Sequence, residues 1–138
     1  MKTEFIAVPK NYTAQQTINF LRKLKPAPGT AYHLYIVDKN KHLVGVLPVR
    51  ALLVADPKSK IEKSMNKKIV FVKDDSPKET AARLMARYDL IALPVIDKEG
   101  ILKGLVKADD VIDEYIPARL KREKFLPLKL RNNQNGFS

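Results

Sequence analysis

Apolar and polar residues alternate along this chain in two different periods, and the same succession of periods occurs twice. Phe5–Val8 and Ile69–Val72 are short apolar runs, partly β-branched, that read as strands. A helical pattern follows each. In the second, Ala81, Leu84, Met85 and Tyr88 fall at i, i+3, i+4 and i+7 and predict one buried helical face. Ser76-Pro77-Lys78-Glu79 precedes them: a hydroxyl for the N-cap, a proline suited to the first helical position, and a glutamate to close a capping box. In the first, Thr13 and Gln16 offer the equivalent cap, with Ile18, Leu21 and Leu24 on the buried side. Two strand pairs come next, Tyr32–Val37 with Leu43–Leu47 and Ala92–Ile96 with Leu102–Val106. Their connections, DKNKH and DKEGI, are polar and hairpin-like. A last helix follows each pair, over Val49–Val54 and Ala108–Ile116, and Pro117 stops the second.

The two copies align residue by residue. Ile36-Val37-Asp38 matches Val95-Ile96-Asp97, and Gly45 matches Gly104, at an offset of 59. Upstream the offset is 64, matching Met1 with Met65 and Phe5–Val8 with Ile69–Val72. The difference is one loop, Lys25–Thr30, longer than its counterpart near Tyr88-Asp89. The expected fold class is therefore α+β, with the order β-α-β-β-α twice and a linker over Ala55–Lys68. We place the first repeat and linker at residues 1–64, the second repeat at 65–116, and a basic C-terminal arm, partly disordered, at 117–138. Copies of about 60 residues bury little core alone, so the two should pack together.

Composition narrows the class. Of 138 residues, 45% are hydrophobic and 30% charged, which suits a globular body rather than a disordered one. No apolar run reaches the ~18 residues of a membrane span, and no signal-like segment opens the chain. There is no cysteine, which excludes disulfides and thiolate metal sites. A soluble, cytoplasmic protein is expected. The net charge is +11, of which +5 falls in residues 117–138. Such a surface attracts nucleic acid, anionic lipid or phosphate-bearing ligands alike, so its sign does not choose a partner.

Leu93–Asp97, Gly100–Val106 and Asp109–Asp113, together with His33–Asp38, Leu43–Leu47 and Leu52-Leu53, resemble a tandem pair of CBS domains. The resemblance covers Met1 to about Ile116. Within that family HLYIVD, the LLVADP linker, ARYDLIALPVID and DDVID are similar to the cytosolic module of MgtE-type magnesium transporters. The resemblance implies two copies packed about a pseudo-twofold axis with clefts between them, a regulatory and non-enzymatic role, and a homodimer of pairs. It also implies a membrane transporter or other regulated protein as partner, and AMP, ADP, ATP or a related adenosine compound as ligand.

In nucleotide-binding members the glycine-aliphatic stretch ends in Ser or Thr, with Asp one helical turn later. A hydroxyl at the start of a helix sits beside free N–H groups that favour phosphate, and the carboxylate accepts from ribose hydroxyls. Here the first copy has Pro48 and Ala51 at these positions, which removes both groups. The second has Lys107 and Asp110. Lys107 can meet a phosphate as a point charge or pair with Asp109 or Asp110. Asp110 can hold a ribose or simply complement the helix dipole. With Ala92 and Pro94 these form the candidate ligand-binding set, allowing at most one nucleotide per chain.

Other constellations carry less. Asp109, Asp110, Asp113 and Glu114 lie on one helix and do not converge as a hard cation requires, so magnesium is not expected within this chain alone. His33 and His42 lack metal-ligand spacing, and no nucleophile elbow, phosphate loop or paired acid and base is present. No metal site and no catalysis are expected. Two alternatives stay open: a scaffold that only dimerises or docks, and binding of nucleic acid or an anionic surface through the basic arm.

Overall fold

The computed structural model describes residues 5–26 and 33–109 of the chain. Six strands and three helices run in the order β1 (Ala7–Pro9), α1 (Ala14–Leu24), β2 (His33–Val37), β3 (Leu43–Pro48), α2 (Val49–Val54), β4 (Val72–Lys73), α3 (Lys78–Tyr88), β5 (Ala92–Ile96) and β6 (Leu102–Lys107), with a single 3₁₀ turn at Ile61–Lys63. They form two three-stranded sheets of the same topology, β1-β2-β3 and β4-β5-β6. In each, the first strand runs parallel to the second and the second antiparallel to the third. The chain thus repeats β-α-β-β, with a helix after the third strand of the first copy. The expected helix over Ala108–Ile116 lies outside the described residues beyond Asp109, as does the arm.

The correspondence between copies reaches single residues. Each second-to-third strand pair shifts register at one place, between Ile36 and Val37 and between Val95 and Ile96. Each hairpin turn is organised by one aspartate. Asp38 Oδ1 accepts from the Asn40 and His42 backbone N–H groups at 2.9 Å, and Asp97 Oδ1 from those of Glu99 (2.8 Å) and Ile101 (3.0 Å). At Asp38 the His42 N–H lowers the carboxyl's pKa against the pull of partial burial, with further help from Asn40 and the His42 ring. Partial burial also opposes ionisation of Asp97, but the Ile101 and Glu99 N–H groups and Lys103 outweigh it and lower its pKa. The turns then meet each other: Leu43 N–H donates to Gly100 C=O (3.1 Å) and Leu102 N–H to Lys41 C=O (3.2 Å). That reciprocal pair relates the repeats by a local twofold.

Helices α1 and α3 both end on a left-handed residue, Lys25 (φ 49°) and Asp89 (φ 55°), whose N–H closes the last turn. These two residues are 64 apart, so the length difference between copies arises just after them. Their starts differ. Thr13 and Gln16 make the expected reciprocal capping box, with bonds of 3.1 and 2.8 Å. In the second copy the helix begins one residue later than expected, Pro77 is the N-cap, and no side chain caps it. The Ser76 hydroxyl instead accepts from the Lys73 N–H at 3.3 Å, which uses it in the preceding turn.

Burial explains the apolar runs. In β2, Leu34 and Ile36 join Val8, Leu47, Leu52 and Ile61 beneath α1. The intervening Tyr35 and Val37 pack with Leu102 and Leu105 of the other sheet. A strand buried on both faces must be apolar throughout rather than alternating. Two helical expectations change. Ala14 and Thr17 are the buried residues of α1 and Leu24 is 48% exposed; Ala81 and Met85 are buried in α3 while Tyr88 is 47% exposed. Both exposed residues are the last of their helices. Buried Thr17 is satisfied by donating its hydroxyl to the Thr13 carbonyl at 2.9 Å.

Candidate functional site

The two sheets meet along Tyr35, Val37, Leu102 and Leu105 and diverge on one side into a cleft of about 320 Å³. Its walls come from both repeats. The first sheet supplies two cross-strand pairs, His33 with Pro48 and Tyr35 with Val46. Directly opposed residues of an antiparallel pair point to one face, so these four form a single wall. The second sheet contributes Ala92 and Pro94, also i and i+2 on one face.

The linker and the end of α3 complete the enclosure. Asn66 pairs with Val46 through two backbone bonds, 3.0 and 2.8 Å, so the linker runs beside β3 and delivers Asn66, Lys68, Ile69 and Val70 to the cleft. This pairing is seated on a glycine. A Cβ at Gly45 would stand 2.7 Å from Met65 Cγ and 3.1 Å from Met65 Cβ. The left-handed Asp89 turns the chain sharply after α3 and brings Tyr88, Leu90 and Ile91 to the same opening. Ile91 C=O in turn accepts from Ala108 N–H at 2.8 Å, tying that loop to the end of β6.

Chemically the cleft is lined mostly by apolar groups, with one cation among the described residues, Lys68. Ile69, Val70, Leu90, Ile91 and Tyr88 offer a flat apolar surface, with the Arg87 guanidinium 5.4 Å from the centre of the Tyr88 ring. Burial pushes the Tyr35 hydroxyl up to about 12, so it stays a neutral donor and acceptor. The imidazole of His33 is held below its ordinary value by burial and, after that, by the nearby Arg50 guanidinium. Lys68 is the cation supplied by the linker.

The residues singled out in the sequence divide. Ala92 and Pro94 line the cleft. Lys107 is the cross-strand partner of Ala92 and is half-buried, but the cleft's lining at the corresponding place in the first sheet is Pro48. Asp110 lies outside the described residues. Sequence reasoning passed over His33, Tyr88 and Lys68 as site residues. His33 had a legible signal: it opens the strand whose second-copy counterpart begins with Ala92. The other two reach the cleft only through the helix-end turn and the linker pairing.

The CBS-domain family profile matches residues 1–58 and 59–116, and the chain belongs to that family as a tandem pair. It is similar to the magnesium transporter MgtE of Thermus thermophilus, 45% identical over 82% of this chain and 25% of that protein. The MgtE of Bacillus subtilis is 31% identical over 84% of this chain and 26% of its own length. The chain therefore spans about a quarter of the curated relatives it matches. Among solved structures, the cytosolic domain of the Mg2+ channel MgtE in complex with ATP superposes with a TM-score of 0.76. That match is 45% identical and covers 81% of this chain and 45% of the other. The soluble part of a magnesium transporter gives the same TM-score at 34% identity, covering 81% and 44%. This chain is thus homologous to the cytosolic CBS module of MgtE. Among its described residues no helix is long and apolar enough to cross a membrane.

Proposed function

We propose that the chain is a regulatory, non-catalytic module that senses a phosphate-bearing adenosine ligand and is coupled to divalent-cation transport. The observation that carries this reading is the cleft walled by both repeats, largely apolar in its lining and carrying the Lys68 ammonium. Such a cleft suits a base with a phosphate tail. The MgtE relative solved with ATP supports the ligand class. A ligand touching both sheets favours the pose in which they lie closest, and that differential affinity is what shifts the population of an attached or partner protein. The partner in this reading is a membrane transporter, with the module on the cytoplasmic side and paired as a homodimer. Ala92 and Pro94 line this cleft, and Lys107, the cross-strand partner of Ala92, is proposed with Asp110 to reach the ligand from the second copy's signature. One adenosine-type ligand binds per chain, in the cleft described, where Pro48 supplies no polar group of its own. Magnesium is not assigned to this chain alone.

Thermal unfolding of the purified chain with ATP, AMP, adenosine or magnesium, each separately, tests the reading. A ligand at 100 times its dissociation constant stabilises by about 2.7 kcal/mol, a shift of several degrees. The expected result is a shift with ATP or AMP that Asp110→Ala reduces. No shift with any adenosine compound supports the scaffold reading, in which the degenerate signatures leave only dimerisation or docking.

A further inference from the structure

The cleft contains one histidine among its lining residues. His33 opens β2, lies opposite Pro48, and lines the cleft at its outer end. Arg50, two residues beyond Pro48 on α2, stands close enough to disfavour a second positive charge on the ring. The remaining described groups around it carry no negative charge. The facing strand β5 presents Ala92 and Pro94, the end of α3 presents Tyr88, the linker presents Lys68 and Asn66, and Tyr35 lies on its own strand. Among the described residues, therefore, every charged neighbour of the imidazole is a cation.

That arrangement is unfavourable for protonation only while no anion is present. A phosphate placed between His33 and Arg50 would reverse the balance, since an opposite charge within about 4–6 Å stabilises the imidazolium. The charge-assisted bond to Nδ1–H or Nε2–H would be roughly twice as strong as a neutral one. The apolar side formed by Ile69, Val70 and Leu90 is the natural seat for the base, which directs the phosphate away from it. We propose that His33 is the phosphate-contacting residue of this cleft and takes up a proton when a phosphate-bearing nucleoside binds. This rests on the ligand reading above and adds its regulation: occupancy becomes sensitive to pH near neutrality. The sign follows from linkage. A group whose pKa is higher in the complex than in the free protein tightens binding as pH falls through that interval.

The chain has only two histidines, and His42 serves as an internal reference. It sits in the hairpin turn, its Nδ1 3.0 Å from Asp38 Oδ2, and does not line the cleft. The ring-proton resonances of both histidines would be followed by NMR from pH 8 to pH 5.5 in the full chain, alone and saturated with AMP or with adenosine. The expected result is an upward move of the His33 midpoint by roughly one unit or more with AMP. It should be absent with adenosine, and His42 should be unchanged. One unit corresponds to about tenfold tighter AMP binding at the lower end of the interval. His33→Gln should bind adenosine as the parent does and lose most of the preference for AMP, whereas Lys68→Ala should keep the proton uptake. AMP that binds, shown by shifts at Tyr88 and Ala92, without moving the His33 midpoint overturns the inference and leaves the ligand reading standing. AMP, ATP and adenosine all failing to shift any cleft resonance overturns both.

Discussion

Within the described residues the two repeats share strand topology, register and turn geometry, and their sequences differ in charge. Asp38 and Asp97 organise their turns through the same pair of bonds, and Lys41 and Gly100 occupy the same left-handed position at φ 69° and 88°. Yet residues 1–64 hold eleven basic side chains against four acidic ones, while residues 65–116 hold nine against ten. Backbone geometry is imposed by hydrogen bonds that every copy must make. Surface charge is free to diverge, because an exposed side chain contributes little to stability. The cleft lies where both halves of this contrast meet: its shape comes from the shared sheets, its cation from Lys68 of the linker.

The comparison can be broken most forcefully in the cores. Leu34 and Leu93 are equivalent and both fully buried. Truncating either to alanine should cost about 2–5 kcal/mol. Because Tyr35, Val37, Leu102 and Leu105 join the sheets, each variant should lower one cooperative transition for the whole chain. Calorimetry of Leu34→Ala that instead resolves two transitions, one at the parent's temperature, would show the repeats to be independent.

A smaller effect is expected where the linker is seated. Gly45→Ala puts a methyl group against the Met65 side chain, and the displacement should cost about 1–3 kcal/mol. Adding Met65→Ala should return part of that loss, giving a non-zero coupling in a double-mutant cycle followed by urea unfolding. Strict additivity would mean that the glycine serves something other than the linker.

The smallest difference concerns the helix starts. Thr13→Ala removes one half of a complete capping box and should cost about 1 kcal/mol. Ser76→Ala removes a longer turn bond outside the helix and should cost less. Equal shifts in denaturation midpoint would make the two starts energetically equivalent despite their geometry.

The repeat, the hairpin turns and one of the two caps were legible because they are local. An aspartate five residues before a strand reaches the N–H groups of its own turn, and a threonine three residues before a glutamine closes its own box. Ser76 shows the limit: its pattern is that of a cap, but the preceding turn competed for the hydroxyl and won. Leu24 and Tyr88 show a second limit, since periodicity marks a face but not how far along the helix burial extends.

The sequence by itself determined the order of elements, their division into two equivalent copies, and the family to which the chain belongs. All three follow from interactions between residues close in the chain or from patterns that repeat along it. Only the tertiary structure decided that Tyr35 and Val37 face the other repeat, that Asn66 lies against Val46, and that His33 shares a cleft with Ala92 and Pro94. Those contacts join residues some 20 to 70 positions apart. They are selected by how two twisted sheets fill the space between them, which no local pattern encodes.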